Sequence, residues 1–368
     1  MAEETLLRTP LYQRHIEMGA RMVGFGGWEM PVQYTGVLDE HHAVRGAAGL
    51  FDISHMGEVE LRGPDALAYL QQLLTADIAA IAPGAANYAL MCHEDGGVID
   101  DTFVYNLGDH YLVVINAANI AKDVAWMHGR LAGYDAELRH TSADVAMLAL
   151  QGPAAESILR RVAGSSPDLP FHGVTRDMLF GELPAVVART GYTGEDGFEL
   201  FVASGDALRL WDGLLAVGAD AGLKPCGLGA RDSLRFEPCL ALYGHELDEQ
   251  TNGYEARLGW VIKLAKPFIG RDALAAAKAA GVARKLVGFE MVGRGVARGE
   301  YAVQSVDGAP IGRVTSGMPA PSVGKNLGMA YVPLAYAADG CEFDVIVRDK
   351  PVRARVVKMP FYQPRYKK

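Results

Sequence analysis

The spacing of apolar residues changes along the chain, and each change predicts an element. Near the start, Pro10 suits a helix's first turn, and Leu11, His15 and Ile16, then Met18-Gly19, predict a short helix and its stop. The stretch VGFGGWEMP, aromatic and closed by Pro31, predicts a bend that holds Phe25 and Trp28. Residues 39–48 predict a helix charged on one face and ended by Gly49. Within residues 50–62, Val59 and Leu61 alternate with Glu58, Glu60 and Arg62, the period of a strand with one wet face. Gly63-Pro64 ends it, and Asp65 stands as N-cap to the helix ALAYLQQLL.

The segments ANYALMCHE, VIDDTFVYNL and YLVVIN then predict an antiparallel meander, with Asp95-Gly96-Gly97 as turn chemistry. A buried strand over 146–153 precedes a helix over 154–162. Then come the strand AVVART, the turn GYTGEDG, the strand FELFVA, a helix over 206–215 and a helical stretch over 230–236. Two α+β units in succession result. After a helix ending at Gly281, short strands separated by Gly, Asp-Gly and Pro predict a small barrel or sandwich. The predicted organisation is an α+β region over residues 1–280, made of two partly interleaved units, and a β-barrel domain over 281–368.

Composition adds few constraints and removes several function classes. The chain has 368 residues and 50% hydrophobic content, as ordinary globular proteins do. Its net charge of -9 and lack of a Lys/Arg patch disfavour nucleic acid, so an anionic ligand would have to meet locally placed arginines. The 4 cysteines form no C-x-x-C pair and read as reduced, mostly buried thiols. No stretch reaches the ~18 apolar residues of a membrane span, and a cytoplasmic protein is expected.

Candidate chemistry narrows by elimination. None of the 10 histidines has H-E-x-x-H spacing, so no metal site is expected. No G-x-S-x-G nucleophile and no glycine-rich phosphate loop is present. Asp100 and Asp101 lie side by side in GGVIDDTFVYN, and consecutive strand side chains point to opposite faces, so the two acids cannot form a dyad. Either both flank a turn, or one lines a cleft and binds a donor there. In GYTGEDGFEL, Glu199 is a surface residue if its face meets water and an acceptor for a planar N–H pair if it lines a cleft. Arg231 and Arg235 share one face of the helix in GARDSLRFE, by default a solvated face.

The segments FGGWEMPVQY, EHHAVRGAAGLFDISHMGEV, GGVIDD, ALQGP, TGYTGEDGFEL, GARDSLRFE, LYGHEL, LGWVIK, RKLVGFEM and TSGMPAPSVGKNLGMAYV, in that order, resemble the glycine cleavage system T protein, or aminomethyltransferase, family over nearly the whole chain. The resemblance implies an α+β multidomain cloverleaf of two α+β units with antiparallel sheets and a C-terminal small β-barrel. It implies transfer of a methylene carbon from an aminomethyl group on lipoylated H protein to tetrahydrofolate, with release of ammonia and no metal. By motif it makes Asp101 the catalytic aspartate and places folate-binding residues at Met56, Tyr88, Asn116, Tyr192, Glu199, Arg231, Trp260, Arg298 and Tyr366, with Arg365 as the alternative to Tyr366. The loop TNGYEARLGW and the tail FYQPRYKK depart from the family pattern. A folate-dependent demethylase on the same fold is the alternative activity. A folate-binding protein of iron–sulfur repair would carry K-G-C-x-x-G-Q-E, where this chain has FEPCLALYGHEL. A fold-mate that binds no folate is the third alternative.

Overall fold

The computed structural model describes residues 6–367. The meander forms as its alternation requires and is extended on one side, giving a five-stranded sheet in the order Ala85–Cys92, Val98–Asn106, Tyr111–Ile115, Gly57–Arg62, Glu137–His140. All of its neighbours are antiparallel. One face packs Val59, Met91, Ile99, Val104 and Val113 against helix Ala66–Leu73 and against Met127 of helix Ile120–Gly129. A register shift leaves Ile99 without a partner, since Cys92 pairs Val98 while Met91 pairs Asp100. This bulge turns the strand just before its two acids.

The second sheet has six strands, in the order Val174–Leu179, Leu183–Ala188, Gly197–Ala203, Val145–Gln151, Ala48–Asp52, Leu223–Pro225. Only the last pairing is parallel. Its outer face buries Leu50, Leu148, Phe198 and Leu200 under helices Ala155–Leu159 and Ala207–Gly218. Its inner face meets the first sheet, where Phe51, Met147 and Phe201 pack on Tyr105, Leu112 and Val114. A closed barrel of six strands follows, beginning with Arg284–Met291 and ending with Lys350–Val357.

Four local expectations change. The bend around Phe25 and Trp28 is a hairpin of Arg21–Phe25 with Trp28–Gln33, because Gly26 and Gly27 both take the positive φ a two-residue turn needs. The helix Val37–Gly46 stops before Gly49, which lies inside strand Ala48–Asp52. Glu58, expected on a wet face, is wholly buried because the second sheet covers that face. Asp65 occupies the N-cap position without capping, and its carboxylate accepts from the Asp135 N–H instead.

Candidate active site

Strand Val98–Asn106 divides its two acids as alternation requires. Asp100 is wholly buried. Its Oδ1 accepts from Asn116 Nδ2 at 2.8 Å and Asn119 Nδ2 at 2.7 Å, and its Oδ2 from the Asn116 N–H at 2.9 Å. Asp101 is half-buried on the opposite side. Its Oδ2 accepts from the Tyr88 hydroxyl at 3.0 Å and its Oδ1 from the same Asn116 amide at 2.9 Å. Tyr88 pairs with Phe103 in the neighbouring strand, so it reaches Asp101 diagonally across the ladder. Burial, and after it the charge of Asp100, push the Asp101 carboxyl up to about 7, against the opposing hydrogen bonds from Tyr88 and Asn116.

Aromatic rings flank this carboxylate. Trp260, 57% exposed, stacks on Tyr88 with centroids 5.9 Å apart and planes 22° apart, presenting a free ring face to solvent. Tyr192 donates to the Ala241 carbonyl, and the Arg231 guanidinium lies over its ring at 4.6 Å. Among the described residues Arg231 has no ion pair and no side-chain hydrogen bond, although it is only half-exposed at most and burial lowers its proton affinity. A guanidinium stays charged in a protein, so this one awaits an acceptor. Its neighbour Arg235 is fully committed, to Asp232, Glu246, Ser316 and the Leu240 carbonyl. The predicted solvated helix face is thus interior, with one arginine neutralised and one not.

Glu199 lies between the two sheets, where its Oε2 accepts from the Tyr105 hydroxyl at 2.9 Å and from Thr190 Oγ1. Those two donors fix the carboxylate while leaving Oε1 without a partner among their bonds. Met56 packs beside the same intersheet cluster. Burial, then the Arg231 charge, lowers the pKa of the neighbouring His55 to about 4, which leaves it neutral at pH 7. Tyr366 stacks on Phe171 at 4.7 Å, Phe171 on His172 at 3.9 Å, and His172 meets Phe103 edge-on at 5.1 Å, an aromatic path leading to Tyr105. Arg365 is exposed and lies over Tyr362. Arg298 stands apart, exposed on the barrel side and donating to the Gly317 carbonyl.

Asp101, Asn116, Tyr88 and Trp260 are therefore directly linked, Tyr192 and Arg231 form a second pair, and Glu199 a third anchor. The residues that sequence reasoning missed are Tyr105, Thr190 and Asn119. Asn119 could have been found from its spacing to Asn116 at a helix start, whereas Tyr105 carried no signal, being an inward residue of an ordinary strand. A separate cleft of about 700 Å³, lined by Leu107, His110, Arg176, Met178, Val186 and Phe201 among others, includes none of the predicted positions.

Comparison with known proteins bears on the same residues. The GCVT N-terminal domain matches residues 11–266, and the glycine cleavage T-protein C-terminal barrel domain matches residues 284–363. An aminomethyltransferase of Herpetosiphon aurantiacus is 55% identical over 98% of this chain and 99% of its own length. One of Symbiobacterium thermophilum is 52% identical over 98% of each. The crystal structure of the glycine cleavage system aminomethyltransferase T from Bartonella henselae superposes with a TM-score of 0.93 at 34% identity, covering 99% of this chain and all of that one. With both domains matched in order and whole-length relatives above half identity, the chain belongs to the glycine cleavage T-protein family.

Proposed function

We propose that the protein is an aminomethyltransferase that moves the methylene carbon of an aminomethyl group, carried on lipoylated H protein, to tetrahydrofolate, releasing ammonia and giving 5,10-methylenetetrahydrofolate. The observation that carries this reading is the half-buried Asp101 carboxyl, gripped by Tyr88 and Asn116 and raised to about 7. In the reaction the carbon leaves a sulfur and a nitrogen and bonds two folate nitrogens. Two N–H protons must then depart, one ending on ammonia and one on the thiol. A carboxyl that titrates near neutrality is suited to take such a proton and return it.

The remaining residues recognise rather than react. Glu199, oriented by Tyr105 and Thr190, accepts from the pterin N–H donors. Tyr88, Trp260, Tyr192 and Met56 cover ring faces, Arg231 takes an anionic or carbonyl oxygen, and Asn116 keeps Asp101 in place. Arg298 and Tyr366 belong to the same reading as further folate contacts, with Arg365 as the alternative to Tyr366, and folate, H protein and a cytoplasmic location go with it. The whole-length relatives named above are aminomethyltransferases, which does not favour the demethylase alternative.

The test is a reconstituted reaction of this chain with aminomethyl-loaded, lipoylated H protein and tetrahydrofolate, following ammonia and methylene-folate together. Stoichiometric appearance of both is expected. Their absence from a folded preparation that still binds tetrahydrofolate refutes the reading.

A further inference from the structure

Behind Asp101 lies an acid that the proposed reaction does not use. Asp123, on helix Ile120–Gly129, is wholly buried, and neither of its carboxyl oxygens has a donor among the described residues. Asn119, the N-cap of the same helix, donates to Asp100, which brings that carboxyl to the helix's first turn, where Asp123 stands four residues on, and the Asp100 carboxyl acts on Asp123 there. Two ionised carboxylates out of water cannot face each other without a proton between them. Asp100 already accepts three N–H bonds, from Asn116 N, Asn116 Nδ2 and Asn119 Nδ2. Asp123 has no such bond, so the proton sits there.

We infer that Asp123 is a positioning residue: its neutral carboxyl donates to Asp100, so that the buried pair carries one negative charge and Asp100 holds the Asn116 amide that orients Asp101. Asn116 Nδ2 is the physical link, at 2.8 Å from Asp100 and 2.9 Å from Asp101. Other groups face the pair from each neighbouring element. Lys122, on the same helix, is engaged by the Ile99 carbonyl, the Tyr243 hydroxyl and Glu249, and Tyr88 and Tyr192 face Asp101 as phenols. Lys122 opposes protonation of Asp123 only in part: burial, then the Asp100 charge, still raises that carboxyl to about 11.

The catalytic consequence rests on the role proposed for Asp101, whereas the proton itself is testable in the protein alone. The infrared difference between wild type and Asp123→Asn at neutral pH is expected to contain the carbonyl band of a protonated carboxyl. Carboxylate bands in its place overturn the inference, whether or not the transfer reaction proceeds. In that reaction Asp123→Asn, whose amide still donates to Asp100, is expected to keep the wild-type pH–rate midpoint. Asp123→Val removes the donor and leaves the Asp100 charge unshared beside Asp101, which should move the midpoint up by about one unit. An unmoved or lowered midpoint in a folded Asp123→Val protein, or an equal shift in Asp123→Asn, also overturns it. Should Asp123→Val fail to fold, the asparagine variant and its infrared spectrum decide alone.

Discussion

Arg231 and Arg235 stand four residues apart on helix Leu228–Phe236, and their surroundings give them different work. Arg235 is held by two carboxylates, while Arg231 has no ion pair among the described residues and lies over the Tyr192 ring. Removing Arg231 therefore breaks no ion pair or side-chain hydrogen bond among the described residues and relieves a half-buried charge. Arg231→Ala should weaken tetrahydrofolate binding by about 1.5–3 kcal/mol, the worth of a hydrogen bond to a charged group, with an unchanged or raised Tm. Titration calorimetry and thermal unfolding check this together, and unaltered affinity would remove Arg231 from the site. Asp101 allows a pH argument as well. Its folded pKa lies above the ordinary carboxylate value, so between about 4 and 7 the folded state binds more protons than the unfolded chain. Its contribution to stability is then fully present below about 4 and is lost as pH rises through 7. Asp101→Asn removes that loss, so its Tm relative to wild type should rise between about pH 4 and 7 and level off above, while its transfer rate falls by about 10²–10⁴-fold at every pH. A Tm difference independent of pH would place the Asp101 pKa in the ordinary range, and near wild-type turnover would refute its role.

At the scale of single elements, close packing explains both what alternation predicted and what it did not. Gly49 was expected to stop a helix, yet it lies in a strand where an added Cβ would sit 2.5 Å from Val44 Cγ2 and 2.7 Å from Cys226 Sγ. Gly49→Ala should cost about 1–3 kcal/mol of stability as overpacking, read from a lower denaturant midpoint at unchanged m-value. A neutral result would mean that helix Val37–Gly46 yields at that point. The meander, the separation of Asp100 from Asp101 and the helices stopping near Gly19 and Gly281 were legible because each follows from residues near one another in sequence, whereas local pattern left barrel or sandwich open, because closure pairs the first barrel strand with the last. The bulge at Ile99 was not, because it changes register without changing composition. Glu58 was misread because alternation shows that a strand has two faces but not what covers each. Tyr105 reaches Glu199 across 94 residues and between two sheets, a contact created only when the sheets pack. Local pattern showed that Glu199 and Asp101 each needed an environment, and family resemblance supplied the ligand. The acid pair of Asp100 and Asp123 follows from the folded chain alone.

Across the whole molecule, a buried network fastens the barrel to the helix that carries Arg231. Arg235 bonds Glu246 at 2.8 Å and Ser316 at 2.9 Å, Thr315 donates to the other Glu246 oxygen at 2.6 Å, and the Tyr331 hydroxyl donates to the Glu246 carbonyl at 2.7 Å. Ser316, Thr315 and Tyr331 are barrel residues, so truncating Arg235 strands the fully buried Glu246 at the junction. Arg235→Met should cost about 3–5 kcal/mol, because an uncompensated buried charge remains. The accompanying Glu246→Gln change should recover part of that loss by removing the charge. Arg231 stands one helical turn from Arg235 on the same helix, so Arg235→Met should weaken folate binding as well as lower Tm, whereas Arg231→Ala should weaken binding alone. In the double variant the binding losses should then be less than additive, since an arginine already absent cannot be displaced. Fully additive losses would show that the barrel junction and the proposed folate site are energetically separate, and that the network stabilises the molecule without orienting Arg231.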